Sequence, residues 1–488
     1  MNTNEFISKL PLVSILNTGM DGMVRWCTPS IHPECPSIHG VYSSDISISY
    51  HALGNPSQGT GIFGEAYRLA AKVYKADKTL FSVNGSSGSN FIVMRALKHQ
   101  LGKMKMLAQR NIHKSASVAI EDYKIDVEFL VPHYDDKYQV FVPSSIDEIL
   151  GRLKNDPEIN VVFLTNPTYE GLSLDLPKLV RQIRSIKRKI IIFVDEAWGA
   201  HLPFSKKLPI CAMEAGADIC VQSTHKQGSG LQQTSMIHWK NGLIEEKYLL
   251  DSYKSLMTTS PSFHLLASLD GARYLFETRG ELIIERLIQI SDLFRSRLKE
   301  IPGVREVKLD DLSKKYEQVK YLDRSKILVN IENCGVSGVD MAHFLEKIYK
   351  IIVEKYEMNN ILFLNTFQNS EIEVDQTIYA IKEIIKKHGN NKVNKKYFFP
   401  SFPVDLRKDI SSSDVANFKN IPSKLSNSIG LTAAEDVVPY PPGIPLIVKG
   451  EIISKYHVAY LEAIKKTNGL MSVVMNDKNI NSILVLKK

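Results

Sequence analysis

The sequence predicts an α/β protein built on a mostly parallel sheet covered on both faces, followed by smaller α+β regions towards the C-terminus. Three observations predict it. Short, continuously apolar runs occur at residues 161–164, 190–194 and 219–222, as expected of strands buried on both faces. Stretches with apolar residues at helical spacing lie around them, such as Ala66, Leu69, Ala70 and Val73. Each apolar run leads into a polar cluster, and in sheets of this kind ligands bind beyond the carboxyl ends of the strands.

Taken in order, residues 64–74 are predicted as a helix, 84–90 as a Gly/Ser loop and 91–101 as the helix after it. The strand at 161–164 ends in the turn Thr165-Asn166-Pro167. Residues 176–186 read as helical, with Pro177 in the first turn, where its missing N–H costs nothing. The strand at 219–222 enters Ser223-Thr224-His225-Lys226. A long helix is predicted over 282–299, ending at Pro302-Gly303. A strand at 327–331 and helices at 339–348 and 374–387 follow. The basic, Gly-containing stretch 386–392 reads as a linker. The expected division is an N-terminal segment (1–55), a large ligand-binding domain (56–285), a small α/β domain (286–390) and a C-terminal domain (391–488).

Composition bounds the function. A chain of 488 residues is too long for one small core. Its 44% apolar and 23% charged residues are ordinary for a soluble globular protein and exclude disorder as the main state. The net charge of +8 is spread along the chain, which indicates a solvated basic surface rather than a nucleic-acid site. The five cysteines form no C-x-x-C pair and read as reduced thiols. Cys27 and Cys35 lie near His32 and His39, but the spacing fits no standard zinc pattern, so no metal is expected. No signal peptide and no apolar run near ~20 residues is evident, so a cytoplasmic protein without membrane contact is expected.

Four clusters carry chemistry. Lys226 follows an apolar strand, which can desolvate its amine enough to form an imine; by itself, such a lysine is usually an exposed loop residue. Asp195 ends the strand at 190–194 and, once buried, needs a cationic partner such as a protonated pyridine nitrogen; a helix-capping aspartate would look the same. Ala197 is small enough to lie beneath a flat ring. The run Asn84-Gly85-Ser86-Ser87-Gly88-Ser89-Asn90 opens a helix, with hydroxyls and free backbone N–H groups able to hold a phosphate. It matches neither the P-loop nor the dinucleotide spacing. His113, in Asn111-Ile112-His113-Lys114-Ser115, is placed to stack on such a ring.

The order and spacing of these clusters resemble those of fold-type I, aminotransferase-like pyridoxal-phosphate enzymes. More specifically, the chain is similar to the bacterial ornithine/lysine/arginine decarboxylase family in its short form. The resemblance rests on the motifs above, on 165–171 (Thr-Asn-Pro-Thr-Tyr-Glu-Gly), 195–201, 233–238, 258–262 and 268–270, and on the Pro-rich run 438–445. It covers about residues 60–275 and 435–451. It implies pyridoxal 5′-phosphate held covalently by Lys226, with Asp195 on the pyridine nitrogen, His113 on one ring face and Ala197 on the other. Ser86, Ser87, Gly88, Ser223 and His225 would hold the phosphate, and Ser260 would reach the cofactor of a neighbouring subunit in a homodimer or larger assembly. The implied reaction is decarboxylation of arginine, lysine or ornithine. Glu435 is a candidate for the substrate's distal cation, though an ordinary exposed acidic residue would look the same. The sequence departs from the family near the N-terminus, where residues 28–33 (Thr-Pro-Ser-Ile-His-Pro) replace a P-G-H-K-like motif. That departure keeps open an aminotransferase or specialised biosynthetic enzyme on the same cofactor, and a non-catalytic relative.

Overall fold

Side chains of the central strands alternate between two apolar layers. Val161 and Phe163 join one layer, whereas Val162 and Leu164 join the other; Ile191 and Phe193 alternate with Ile192 and Val194 in the same way. This period of two puts a covered face on each side of the sheet. The computed structural model describes residues 24–26, 32, 47–48, 53–186, 188–389, 400–404, 407–440, 443–467 and 471–487.

The large sheet is built from β1 (Lys78–Ser82), β2 (Lys105–Gln109), β3 (Asp126–Leu130), β4 (Val161–Thr165), β5 (Ile191–Asp195), β6 (Ile219–Gln222) and β7 (Ser235–Trp239). Its order is β1-β7-β6-β5-β4-β2-β3. All pairs are parallel except those of β7, which runs antiparallel to both neighbours. Among the helices around it are α1 (Gly61–Val73), α2 (Gly85–Leu101), α3 (Lys114–Asp122) and α4 (Leu176–Ser185). The mostly parallel sheet and all three predicted apolar strands are present.

Two expectations need correction. The Gly/Ser run does not stay a loop, because α2 begins at Gly85 and Ser86–Asn90 are already helical. Gly85 takes φ +66°, a left-handed turn into the helix, and Gly88 packs so tightly that a Cβ would sit 2.4 Å from the Asn84 Cβ. The predicted helix at 282–299 starts much earlier, since α5 runs Phe263–Leu298. Gly280 lies inside this helix and packs close against Phe204, whose ring a Cβ would approach to 2.9 Å. Position 285/286 therefore falls inside a continuous helix.

α5 leads to a second, antiparallel sheet of β8 (Arg305–Glu306), β9 (Lys326–Asn330), β10 (Lys355–Tyr356) and β11 (Asn360–Leu364), ordered β8-β9-β11-β10. Helices α6 (Gly338–Tyr349) and α7 (Glu371–His388) complete this unit around Trp26, Phe294 and Phe363. Residues 407–440, 443–467 and 471–487 form a third unit around α8 (Lys455–Lys465), with Val437, Ile447, Ile453 and Leu461 in its core. A buried ion pair ties this unit to the large sheet: Arg110 Nε and Nη2 donate to the two oxygens of Glu451 at 3.0 and 2.9 Å. No helix among the described residues is long and apolar enough to cross a membrane.

Candidate active site

The carboxyl ends of β4, β5 and β6, together with the start of α2, open onto one cavity of about 320 Å³. Its wall includes Ser86, Ser87, His113, Asp195, Ala197, His225 and Lys226. Seven of the predicted site residues therefore meet in one place, although they are spread over 140 positions of sequence.

Asp195 closes β5 and is buried, 2% exposed. Asn90 Nδ2 donates to Oδ2 at 3.0 Å, and the Ala197 N–H donates to Oδ1 at 3.1 Å. Burial raises the Asp195 pKa above its ordinary 3.8, while Asn90, Lys226 and Ala197 pull it back. Asn90 is a site residue that sequence reasoning missed; its position one helical turn beyond Ser86 was the available signal.

Lys226 lies in the helical turn Thr224–Gln227 directly after β6. Its Nζ stands 4.1 Å from the centroid of the Trp198 ring. Burial lowers the ammonium below its ordinary 10.5, opposed by Asp195 and Glu354. An amine that loses its proton more easily is a better nucleophile at neutral pH.

His113 sits at the N-cap of α3, where its Nδ1 accepts from the Ser115 N–H at 3.2 Å. That contact leaves the ring proton on Nε2. Burial, then Lys226 and Lys114, push the pKa down to about 4, so the ring is neutral at pH 7. His225 Nδ1 faces the Thr234 carbonyl at 2.8 Å and donates to it; burial lowers this pKa to about 4 as well. Ser223 Oγ donates to Ser86 Oγ at 2.7 Å, linking the end of β6 to the start of α2. Gly88 lies one turn into α2 and does not line the cavity, so its contribution is close packing against Asn84.

Two predicted residues stand elsewhere in this chain. Ser260 is exposed and outside the cavity. Glu435 does not line the cavity either: its two oxygens accept from the backbone N–H groups of Asn476 and Leu484, at 2.6 and 2.7 Å, which braces the C-terminal unit. Besides Asp195, the acidic residues that line the cavity are Glu170 and Glu354. Glu170 accepts from Lys355 Nζ at 2.8 Å, a fully buried pair. Glu354 accepts from the Tyr169 hydroxyl at 2.7 Å. A second lysine also meets the site: Lys326 Nζ lies 3.2 Å from the Trp198 centroid, is buried, and has no hydrogen-bond partner among the described residues. Burial lowers its pKa to about 8, opposed by Glu354 and Asp323. Of the residues weighed for zinc, Cys27, Cys35 and His39 lie outside the described residues.

A mostly parallel α/β sheet, with a desolvated lysine and a buried carboxylate at adjacent strand ends, defines the fold-type I class of pyridoxal-phosphate enzyme. Residues 39–373 match the model of the Orn/Lys/Arg decarboxylase major domain, and residues 415–471 match that family's C-terminal domain. An arginine decarboxylase of Halalkalibacterium halodurans is 33% identical over 432 residues, covering 88% of this chain and 86% of the relative. An arginine decarboxylase of Bacillus subtilis is 32% identical over 404 residues, covering 82% and 81%. The solved structure of the Escherichia coli constitutive lysine decarboxylase superposes with a TM-score of 0.75 at 20% identity, covering 91% of this chain and 75% of that one. The chain belongs to the Orn/Lys/Arg decarboxylase family and is an amino-acid decarboxylase, a carbon–carbon lyase.

Proposed function

We propose that this chain removes the α-carboxylate of a basic amino acid, arginine first among arginine, lysine and ornithine, with pyridoxal phosphate bound on Lys226. The observation that carries this reading is the pairing of a desolvated Lys226 with a buried Asp195 in one cavity. The cavity fits the cofactor in a further respect. Thr165 lines the wall and its buried hydroxyl has no partner among the described residues, as expected of a group that meets a polar ligand. The 33%-identical arginine decarboxylase supports arginine as the first substrate to try.

When bound, the cofactor supplies an electron sink conjugated to the substrate amine. The remaining work belongs to the protein. Lys226 would anchor the cofactor through its desolvated amine. Asp195, fixed by Asn90 and Ala197, holds a proton on the pyridine nitrogen. The neutral His113 ring and Ala197 confine the ring between them. Ser86, Ser87, Ser223 and His225 bind the phosphate, with the free N–H groups at the start of α2 adding to its stabilisation. Tyr440 and Ile444 of the C-terminal unit close part of the wall and limit water. Ser260 is exposed outside its own chain's cavity, so a phosphate role for it requires a second copy, and sedimentation as a dimer or larger is expected.

The test is mass spectrometry of products after incubation with pyridoxal phosphate and arginine, lysine or ornithine separately. An amine lighter than its substrate by one carbon dioxide is expected. A keto acid would instead indicate amino transfer and overturn the proposal.

A further inference from the structure

The wall formed by Tyr169, Trp198 and Glu354 has a chemistry that the cofactor does not require. Tyr169 and Trp198 meet edge to face at 4.9 Å between centroids. Both rings already attract cations: Lys326 Nζ is 3.2 Å from the Trp198 centroid and 5.5 Å from that of Tyr169. Glu354 lies between the strand Ile351–Val353 and β10, in the second sheet unit, and projects to the cavity. Its backbone is fixed, since its N–H donates to the Leu362 carbonyl at 3.1 Å. Its side chain is oriented by the Tyr169 hydroxyl at 2.7 Å.

The other carboxylates near this wall have different duties. Glu170 is matched to the buried Lys355, which Glu357 also approaches at 3.1 Å. Asp195 is held by Asn90 and the Ala197 N–H. Asp323 accepts from the N–H and the hydroxyl of Ser325. Glu354 is the acidic group whose field reaches both Lys226 and Lys326, favouring the charged form of each. It therefore stabilises positive charge inside the cavity. A substrate cation entering beside Trp198 would meet the same field. A carboxylate beside two aromatic faces suits a guanidinium or an alkylammonium.

We propose that Glu354, oriented by Tyr169, is the specificity-determining residue that receives the distal cation of the substrate. The inference rests on the decarboxylase reading above and names the part of the cavity that selects basic side chains.

The experiment uses the holoenzyme and compares the parent with Glu354→Gln, which keeps shape and removes charge. Two competitive inhibitors serve as probes, 1,5-diaminopentane and 1-aminopentane, which differ only in the distal charge. Losing one charged partner of a hydrogen bond predicts a rise in KM for the basic substrate of roughly 10- to 100-fold, with a much smaller change in kcat. The preference of the parent for the diamine should collapse to about onefold in Glu354→Gln, a change that general loosening of the fold would not produce. Tyr169→Phe, which removes only the orienting hydroxyl, should raise KM by a smaller factor. Glu354→Asp, which keeps the charge, should fall between parent and Gln; these two variants decide the matter if Glu354→Gln does not fold. A KM within about twofold of the parent together with an intact diamine preference would overturn this assignment alone. A parent enzyme that decarboxylates no basic amino acid would overturn the proposed function, and this assignment with it.

Discussion

Breaking the ion pair between Arg110 and Glu451 should detach the C-terminal unit from the large sheet. The pair is nearly dry, with side chains 5% and 9% exposed. Arg110 donates twice to Glu451 and once, at 2.9 Å, to the Pro445 carbonyl, beside the Ile444 that lines the cavity. Glu451 also accepts from the Val448 N–H at 2.9 Å. Glu451→Gln leaves a guanidinium buried without its counter-charge, at a cost of about 3 kcal/mol. Arg110→Met leaves a buried carboxylate held only by the Val448 N–H, at a similar cost. Replacing both by Met removes both charges together and should recover more than half of the loss, because two apolar groups need no partner. The assay is thermal unfolding followed by tryptophan fluorescence, with the first transition of each single variant lowered on the order of 5 °C. KM should rise as well, since Ile444 and Pro445 lose their anchor beside the cavity. Single variants within about 0.5 kcal/mol of the parent would refute the reasoning, as would a double variant as unstable as the sum of the singles.

Two further outcomes are expected, one at the site and one in the buried sheet. Asp195→Asn should still bind pyridoxal phosphate, with its absorbance band retained, while kcat falls roughly 10²- to 10³-fold because the pyridine nitrogen loses its anionic partner; a kcat within about tenfold of the parent would remove Asp195 from that role. His238 is buried between Thr79 and Gln222, and burial pushes its pKa down to about 3 from 6.5. Its folded pKa is depressed, so the unfolded chain binds the proton first, and the stability it contributes is present above pH 6.5 and lost as pH falls below it. His238→Gln should therefore lose stability less steeply than the parent between pH 6.5 and 4.5, by about 1 kcal/mol per pH unit in denaturant titrations; identical slopes would contradict the buried neutral state.

Much of the fold was legible, as were the seven predicted residues that meet in the cavity, because they depend on local signals. The ends of β5 and β6 were marked by apolar runs that stop at Asp195 and just before Ser223, and strand ends are where such sheets bind ligands. The start of α2 was misread because Gly, Ser and Asn favour loops by composition, whereas here they form the first turns of the helix, with Asn90 bonded to Asp195. Glu354 and Lys326 were not legible at all. Both come from the second sheet unit, where the sequence showed no recognisable motif, and only tertiary packing brings them against Trp198 and Tyr169. Glu435 was chosen for its charge, but charge in sequence does not reveal that two backbone N–H groups already bind its oxygens. The family match, reaching residue 373 and resuming at 415, extends well past the stretches in which motifs could be recognised.

The central claim is that Lys226 carries the cofactor. The most direct test is reductive trapping: the protein is incubated with pyridoxal phosphate, reduced with borohydride, digested and mapped by mass spectrometry. One phosphopyridoxyl adduct is expected, on the peptide containing Lys226, and none in Lys226→Ala. An adduct on Lys326 instead, or no adduct at all, would contradict it.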